Sequence, residues 1–321
     1  MARFAKELFD VRHDLVVASS RYKKTAIYKD LKCPIYNYLL SLNSESSQHT
    51  VSRVLQTIAR HMGRESIYEI RWGNFNSSTI NTLIDSLKSN GNYAPNTITL
   101  YISVVKQVVE HAYLLGQMST RQRDAIKSKK VKTGSRTKEY TLLNHEDVNA
   151  LLSKVAGNSQ DYVVKCRDYA IFSILLRCGL RREEVTNLKV SDVKEKAIRV
   201  IGKGNKERKV AMHPVVLEAI NKWLAVYSHS NKNKPLFVRI LKGGHIQNEK
   251  LSPDAIFKLC NKYDAPAPHS LRRSFATNLY KNGANIKNIS LLLGHNNIST
   301  TEIYVRRDDE DLYNEVIQNL L

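Results

Sequence analysis

The sequence predicts a mainly α-helical protein with a small antiparallel β-sheet, divided into two domains. Three observations carry that prediction. Apolar residues recur at three- and four-residue spacing through most of the 321-residue chain, the mark of helices that bury one face. Two short β-rich runs, 197–201 (AIRVI) and 208–212 (RKVAM), are joined by GKGNKE, whose glycines and asparagine supply the positive-φ positions of a hairpin turn. The stretch from Arg121 to Tyr140 carries eight Lys/Arg against two acids and almost nothing apolar, so it reads as a linker.

Taken in order, residues 1–47 form an N-terminal extension with no assigned role. Within it 5–17 and 26–42 show some helical periodicity, and SLNSESSQ resembles a loop ending at a helix cap. Residues 48–127 read as a small helical domain. Val51, Val54, Leu55 and Ile58 share one face of 48–62, and the pattern recurs over 79–89 and 96–116. The basic linker proper is 128–140. A second domain, 141–321, opens with the stretch Thr141–Ala156, in which Asn144 reads as a helix N-cap and Leu143, Val148, Leu151 and Leu152 as an apolar face. From Asp168 to Cys178 one side is Ala170, Ile171, Ile174, Leu175 and Cys178. Gly179 stands where that helix ends, and Arg181 lies just past it. Lys203 sits on the hairpin turn. Further helices are expected at 214–226, 253–262, 269–282, 286–293 and 310–320.

Composition narrows the function classes. Lys and Arg number 50 against 30 acids, a net charge of +20, which favours a polyanionic partner such as nucleic acid or an acidic membrane face. No run approaches the length of a membrane span and the N-terminus lacks the layout of a secretion signal, so the expectation is a cytoplasmic protein with no membrane partner. Cys33, Cys166, Cys178 and Cys260 lie far apart with no C-x-x-C spacing and read as buried small hydrophobes. The histidines form no H-x-x-x-H pair beside a carboxylate, so no metal and no cofactor is expected.

In PHSLRRSFATNLY the i, i+3 spacing puts His269 and Arg272 on one helix face while Leu271, Phe275 and Leu279 cover another. In LLLGHNNISTTEIYVRR, Gly294 ends an apolar segment, His295 follows at the turn, and Ser299 or Thr300 can cap a short helix carrying Tyr304. Taken singly, these are more simply a solvated polar face, a loop histidine and a half-buried core tyrosine. The succession GLRREEV, GKGNKER, HSLRR, LLGHNN and STTEIY changes that weighting, because in order and spacing it resembles the tyrosine recombinase family from about residue 141 to 306. That family includes phage integrases and Xer-type chromosome resolvases.

The resemblance implies a helical core-binding domain over 48–127 and a catalytic domain over 141–321. It implies catalytic roles for Arg181, Lys203, His269, Arg272 and His295, with Tyr304 as the nucleophile that becomes joined to a DNA 3′ phosphate. Glu184 matches an acidic position behind the first arginine, where it orients Arg181 or forms a plain surface salt bridge.

The chemistry accounts for these residue types. A phosphodiester is a stable anion, and charge growing on its nonbridging oxygens must meet positioned donors, a task suited to the planar forks of two arginines. A tyrosine hydroxyl has a reference pKa of about 10, so it needs a base or a cationic setting, and His269 is the candidate base. The leaving 5′ oxygen needs a proton, and Lys203 on its hairpin is the candidate acid.

Double-stranded DNA is the expected partner, with the two domains clamping a duplex. The expected phosphate contacts are Arg121, Arg123, Lys127, Lys129, Lys130, Lys132, Arg136 and Lys138, joined by Lys206, Arg208 and Lys209. The resemblance further implies a homotetramer acting through a four-way junction, aided by accessory DNA-bending or directionality proteins. Its final helix, 308–321 with Leu312, Val316, Ile317 and Leu320 as an apolar stripe, suits docking in a neighbour, the alternative being packing within its own chain. Residues 1–47 and Val305–Arg306, where Xer-type enzymes place Thr–His, tilt the reading toward an integrase of a phage or mobile element. An Xer-type resolvase, a type IB topoisomerase and a catalytically silent DNA-binding regulator remain as alternatives.

Overall fold

A computed structural model describes residues 15–16, 27–28, 30–91, 93–131, 141–157, 161–202, 204–227 and 231–304. The chain divides into two compact units, Met1–Thr137 and Lys138–Leu321. Both are mainly helical, with small antiparallel sheets, in agreement with the predicted fold class.

Helices of the first unit begin where the sequence offers side-chain oxygens to unpaired amides. After a two-residue pairing of β1 (Leu15–Val16) with β2 (Ile27–Tyr28), α1 (Pro34–Leu40) starts at a proline, whose fixed φ and missing N–H suit a first turn. Ser44 caps α2 (Glu45–His61), and Asn76 caps α3 (Ser77–Ser89). The long α4 (Pro95–Leu114) runs through the core, where Val105, Val108, Val109 and Ala112 meet Ile35, Leu55, Ile58 and Leu87.

Two expectations are corrected here. The core begins at Ile35 rather than at residue 48, and the periodicity over 26–42 becomes helix only from Pro34 onward. Of the pattern over 5–17, only residues 15–16 are described, and they are strand. The start of the supposed linker is helical as well. Ser119 and Gln122 exchange capping bonds at the head of α5 (Thr120–Lys127), and its single buried apolar residue, Ile126, is enough to dock it.

In the second unit Asn144 caps α6 (His145–Gly157), accepting from the Asp147 amide at 2.8 Å. The helix starts directly after the Asn144 cap, as the sequence reading placed it, and Leu143, just before the cap, bonds through its backbone to the Ser274 and Asn278 side chains. Helix α7 (Tyr162–Arg177) begins at the Asp161 cap, earlier than the apolar run alone indicates, and buries Ala170, Ile171, Phe172 and Ile174 completely. It is followed by α8 (Arg182–Asn187) and the hairpin β3 (Ala197–Ile201) with β4 (Glu207–Ala211). Gly204 and Asn205 take the positive-φ positions of the turn, while Lys203 lies outside the described residues. Helix α9 (Pro214–Val226) packs on α7, with Trp223 donating its indole N–H to Leu236 O at 2.7 Å.

A second hairpin, β5 (Val238–Ile240) with β6 (Ile246–Lys250), has no counterpart in the sequence reading. Its burial does not alternate cleanly, so no period-two pattern marks it. Helices α10 (Pro253–Lys262), α11 (Pro268–Lys281), α12 (Ile286–Leu293) and α13 (Ser299–Glu302) complete the unit. The expected helix over 310–320 falls outside the described residues. Three cysteines are buried as expected, but Cys33 is only half-buried. No described helix is long and apolar enough to cross a membrane.

A buried charge network ties α7 to the end of α10. Asp168, with no solvent exposure, accepts from Arg167 Nη2 at 2.7 Å, Lys262 Nζ at 3.1 Å and Tyr263 OH at 2.8 Å. Removing the carboxylate strands the Arg167 guanidinium in a dry site. Asp168→Ala is expected to lose about 3–5 kcal/mol of stability in urea unfolding, and an unchanged midpoint would show the network to be dispensable.

Candidate active site

The site is assembled at helix ends. Helix α7 gives way to Gly179 at φ +61°, and a Cβ there would lie 2.3 Å from the Phe275 ring, so only glycine permits this reversal. Two residues on, Arg181 stands at the head of α8. Its amide donates to Glu184 Oε2 at 2.9 Å and its Nη1 to Glu184 Oε1 at 2.8 Å.

Glu184 is 4% exposed and holds more than Arg181. Arg208, from β4, clamps it with two bonds of 2.9 Å, and Arg272 Nη1 approaches to 3.8 Å. Burial alone would raise the Glu184 carboxyl, yet the bonds from Arg208 and Arg181 outweigh it and hold the group below the usual carboxylate range. The second collecting point is the C-terminus of α12, whose last carbonyls have no partner within the helix. Leu293 O accepts from Arg272 Nη2 at 2.6 Å and Arg181 Nη1 at 3.4 Å, and Leu292 O accepts from Arg208 Nε at 2.9 Å. Gly294, at φ +66°, ends that helix with its α-carbon pressed toward Arg208.

Arg272 is 1% exposed and donates from Nη1 to Gly179 O at 2.7 Å. Burial, then Arg181, push its pKa down to about 10, which leaves it charged at neutral pH. Its Nε–H has no hydrogen-bond partner among the described residues. Arg272 Nη2 also donates to His295 Nε2 at 3.1 Å, and His295 Nδ1 lies 2.8 Å from Thr301 Oγ1. These bonds set the tautomer: Nε2 accepts and Nδ1 carries the proton. Burial and the arginines push His295 down to about 4, so the ring is neutral.

Tyr304 follows α13. The N-cap position of that helix is Ile298, without a side-chain cap, rather than Ser299 or Thr300, and Asn297 Oδ1 accepts the Ser299 amide at 3.1 Å just before it. The Tyr304 ring is 8% exposed and meets His269 and His295 edge-on, at centroid distances of 5.4 and 5.2 Å. Its hydroxyl lies 3.1 Å from His269 Nε2. Burial, then Arg272, Arg273 and Arg181, lower the His269 pKa and favour the neutral imidazole, whose Nε2 accepts from the tyrosine when the proton sits on Nδ1.

Arg181, His269, Arg272, His295, Tyr304 and Glu184 thus converge. The resulting pocket pairs a tyrosine hydroxyl and a neutral imidazole with charged guanidinium groups, the requirements for attack on a phosphate ester. Arg208, predicted to touch DNA, has Nε, Nη1 and Nη2 all bonded within the protein, which makes it part of the site's frame. Nothing in the basic run GKGNKER distinguished it from its neighbours. Thr301 was likewise missed, because its hydroxyl matters only once His295 is folded against it.

Of the other predicted contacts, Arg121, Lys130 and Lys209 are exposed, Lys129 is half-buried, and Lys206 reaches Asn296 at 3.1 Å. Lys127 pairs with Glu110 at 2.8 Å, and Arg123 pairs with Asp124 and lies over the Tyr113 ring. Lys132, Arg136 and Lys138 are outside the described residues. No group of three potential metal ligands occurs among the described residues.

Residues 130–311 match the model of the phage integrase family, and the chain belongs to that family of tyrosine recombinases. Tyrosine recombinase XerC of Actinobacillus pleuropneumoniae serotype 7 is 28% identical over 287 residues, covering 87% of this chain and 90% of that protein. XerC of Caldanaerobacter subterraneus subsp. tengcongensis is 38% identical over 177 residues, 53% of this chain and about half (49%) of that relative. Among solved structures, the Tn1549 transposon integrase in complex with circular intermediate DNA aligns with a TM-score of 0.64 at 18% identity, covering 89% of this chain and 98% of that one. A lambda integrase dimer bound to a core site aligns at 0.62 and 15% identity, over 85% and 94% of the two chains. These structural likenesses establish a shared fold.

Two outcomes follow from the geometry. In Gly294→Ala the new methyl lies 3.0 Å from Arg208 on a left-handed backbone, so the variant should lose about 1–2 kcal/mol by thermal or urea unfolding. Acid should also destabilise the second unit in two stages. The folded state resists protonating His295, so stability present above pH 6.5 is lost as pH falls toward about 4. The depressed Glu184 contributes stability above its ordinary value of 4.5 that is lost as pH falls through its lower folded pKa. Urea midpoints against pH, read from Trp223 in a Trp72→Phe background, should lose the first stage in His295→Asn and keep the second.

Proposed function

We propose that this chain is a site-specific DNA recombinase that cuts and rejoins DNA through a 3′-phosphotyrosyl intermediate. The observation that carries this reading is the Tyr304 hydroxyl bonded to a neutral His269 beside the guanidinium groups of Arg181 and Arg272. Among the described residues the Arg181 guanidinium bonds through Nη1 alone, and its half-exposed side chain leaves Nε and Nη2 for a phosphate. Arg272 offers its unpartnered Nε–H.

In the reaction, the Tyr304 oxygen attacks phosphorus, its proton passes to His269, and the bond to the 5′ oxygen breaks. Lys203 protonates the leaving oxygen. His295, uncharged and braced by Thr301, keeps Arg272 aimed. Before DNA binds, burial and then the arginines depress the basicity of His269. A bound phosphate offsets their charge, so the base strengthens when substrate arrives. One phosphodiester is exchanged for another, and rejoining runs the same steps backward without a nucleotide cofactor.

The proposal extends to the partners. The exposed cations Arg121, Lys130 and Lys209, with the basic run 128–140, are the phosphate contacts, and binding should weaken steeply with salt. Strand exchange proceeds through a four-way junction in a homotetramer linked by the final helix. Val305–Arg306, where Xer-type enzymes place Thr–His, favours integration or excision of a phage or mobile element over chromosome resolution.

The test is to incubate the protein with DNA bearing candidate sites, including nicked substrates that trap the intermediate, then denature and locate any DNA-linked peptide by mass spectrometry. A 3′-phosphotyrosyl adduct at Tyr304 is expected. Its absence on every substrate would favour a silent DNA-binding regulator, and relaxation of a plasmid lacking target sites would favour a type IB topoisomerase. Tyr304→Phe should bind DNA and form no adduct, and Arg181→Lys should slow cleavage by at least about 100-fold in single-turnover assays.

A further inference from the structure

The residue after Arg272 is also an arginine, and it points to a different target. Arg273 is 7% exposed on α11. Its Nη2 donates to Ile303 O at 2.6 Å, and its guanidinium carbon lies 5.1 Å from the centroid of the Tyr304 ring. One turn further along the same helix, Thr277 Oγ1 donates to Tyr304 O at 2.8 Å.

The carbonyls on both sides of the Tyr304 α-carbon are therefore held by one helix. Fixing those two peptide planes fixes the direction in which the side chain leaves the backbone. The ring is then boxed by the edges of His269 and His295 and by the Arg273 guanidinium. A cation over a ring face is attracted to its π electrons, and more strongly once the oxygen carries charge.

Arg272 and Arg273 divide the labour by helical geometry. The α11 rotation of about 100° per residue turns Arg272 toward Gly179, Leu293 and His295, and Arg273 toward the turn that bears the nucleophile. A guanidinium does this better than an ammonium, because its planar fork can hold a carbonyl while its face lies along a ring.

We propose that Arg273 is a positioning residue for the nucleophile: it sets the Tyr304 ring for attack and takes no part in holding the scissile phosphate. This rests on the recombinase reading above, and the experiment separates the two. The DNA used is one on which the wild-type protein forms its Tyr304 adduct; a wild type that forms none sinks the recombinase reading, and this inference with it.

Cleavage is measured under single-turnover conditions for Arg273→Met and Arg273→Lys. A second reaction bypasses the tyrosine. In a Tyr304→Phe background, a nicked duplex carries a 3′ p-nitrophenyl phosphate ester opposite a free 5′ hydroxyl. The hydroxyl oxygen attacks phosphorus and p-nitrophenolate departs with its bonding pair, while the hydroxyl proton passes to solvent. Arg181, Arg272 and His295 are needed for this joining, and the nucleophile is not.

Arg273→Met is expected to slow cleavage by about 100-fold, the scale of a nucleophile displaced by about 1 Å, with DNA affinity unchanged. Arg273→Lys should recover part of the rate. Ester joining should be the same in Tyr304→Phe and in Tyr304→Phe with Arg273→Met. Unimpaired cleavage in Arg273→Met overturns the proposal, and so does a loss of ester joining as large as the loss of cleavage. Should Arg273→Met fail to fold, Arg273→Lys and Thr277→Val carry the same comparison, each removing part of the hold on one carbonyl.

Discussion

Several guanidinium groups cannot crowd into one small pocket without an anion among them, and in this protein that anion is Glu184. Two like charges about 5 Å apart repel by about 3 kcal/mol at an effective dielectric of about 20, and Arg181, Arg208 and Arg272 all gather around this one carboxylate. The buried carboxylate touches Arg181 and Arg208 directly and faces Arg272 at 3.8 Å. It also takes the Arg181 amide, so the same group that neutralises the cluster fixes the turn on which Arg181 stands. Arg208 spends its guanidinium on Glu184 and Leu292 O, and without its paired bonds Glu184 would be an under-compensated buried charge.

The other half of the frame comes from helix ends. A helix C-terminus carries unpaired carbonyls and partial negative charge, and α12 spends both on arginines from three different elements. Left-handed glycines, Gly179 and Gly294, make those ends abrupt enough for a guanidinium to reach the carbonyls. Arg272 and Arg208 are thereby withdrawn from solvent and held in place, while Arg181 keeps part of its side chain exposed. What remains open is the free edge of Arg181 and the Nε–H of Arg272, the positions a phosphate would fill in the proposed reaction.

Burial also separates the two histidines into different tasks. Both stay neutral beside the arginines, but His295 is committed on both ring nitrogens, to Arg272 and to Thr301, and can only brace. His269 keeps Nε2 for the tyrosine hydroxyl and remains the group able to take its proton.

Much of this was legible in the chain itself. Helical periodicity placed α9, α10 and α12 within a few residues, because each is long enough to show an apolar face and ends at a proline, glycine or capping side chain. The order of GLRREEV, HSLRR, LLGHNN and STTEIY singled out the residues that converge, since chemistry demands those side-chain types whatever surrounds them. The sequence by itself thus determined the fold class, the family and the residues that converge in one pocket. Only the tertiary structure decided how those groups are held. That Arg208 belongs to Glu184 rather than to solvent, that Thr301 braces His295 and that Arg273 reaches the Ile303 carbonyl all depend on contacts between residues far apart in the chain. No local pattern encodes such pairs, because a buried ion's partner is selected by three-dimensional packing and by the energetic cost of leaving its charge unmatched.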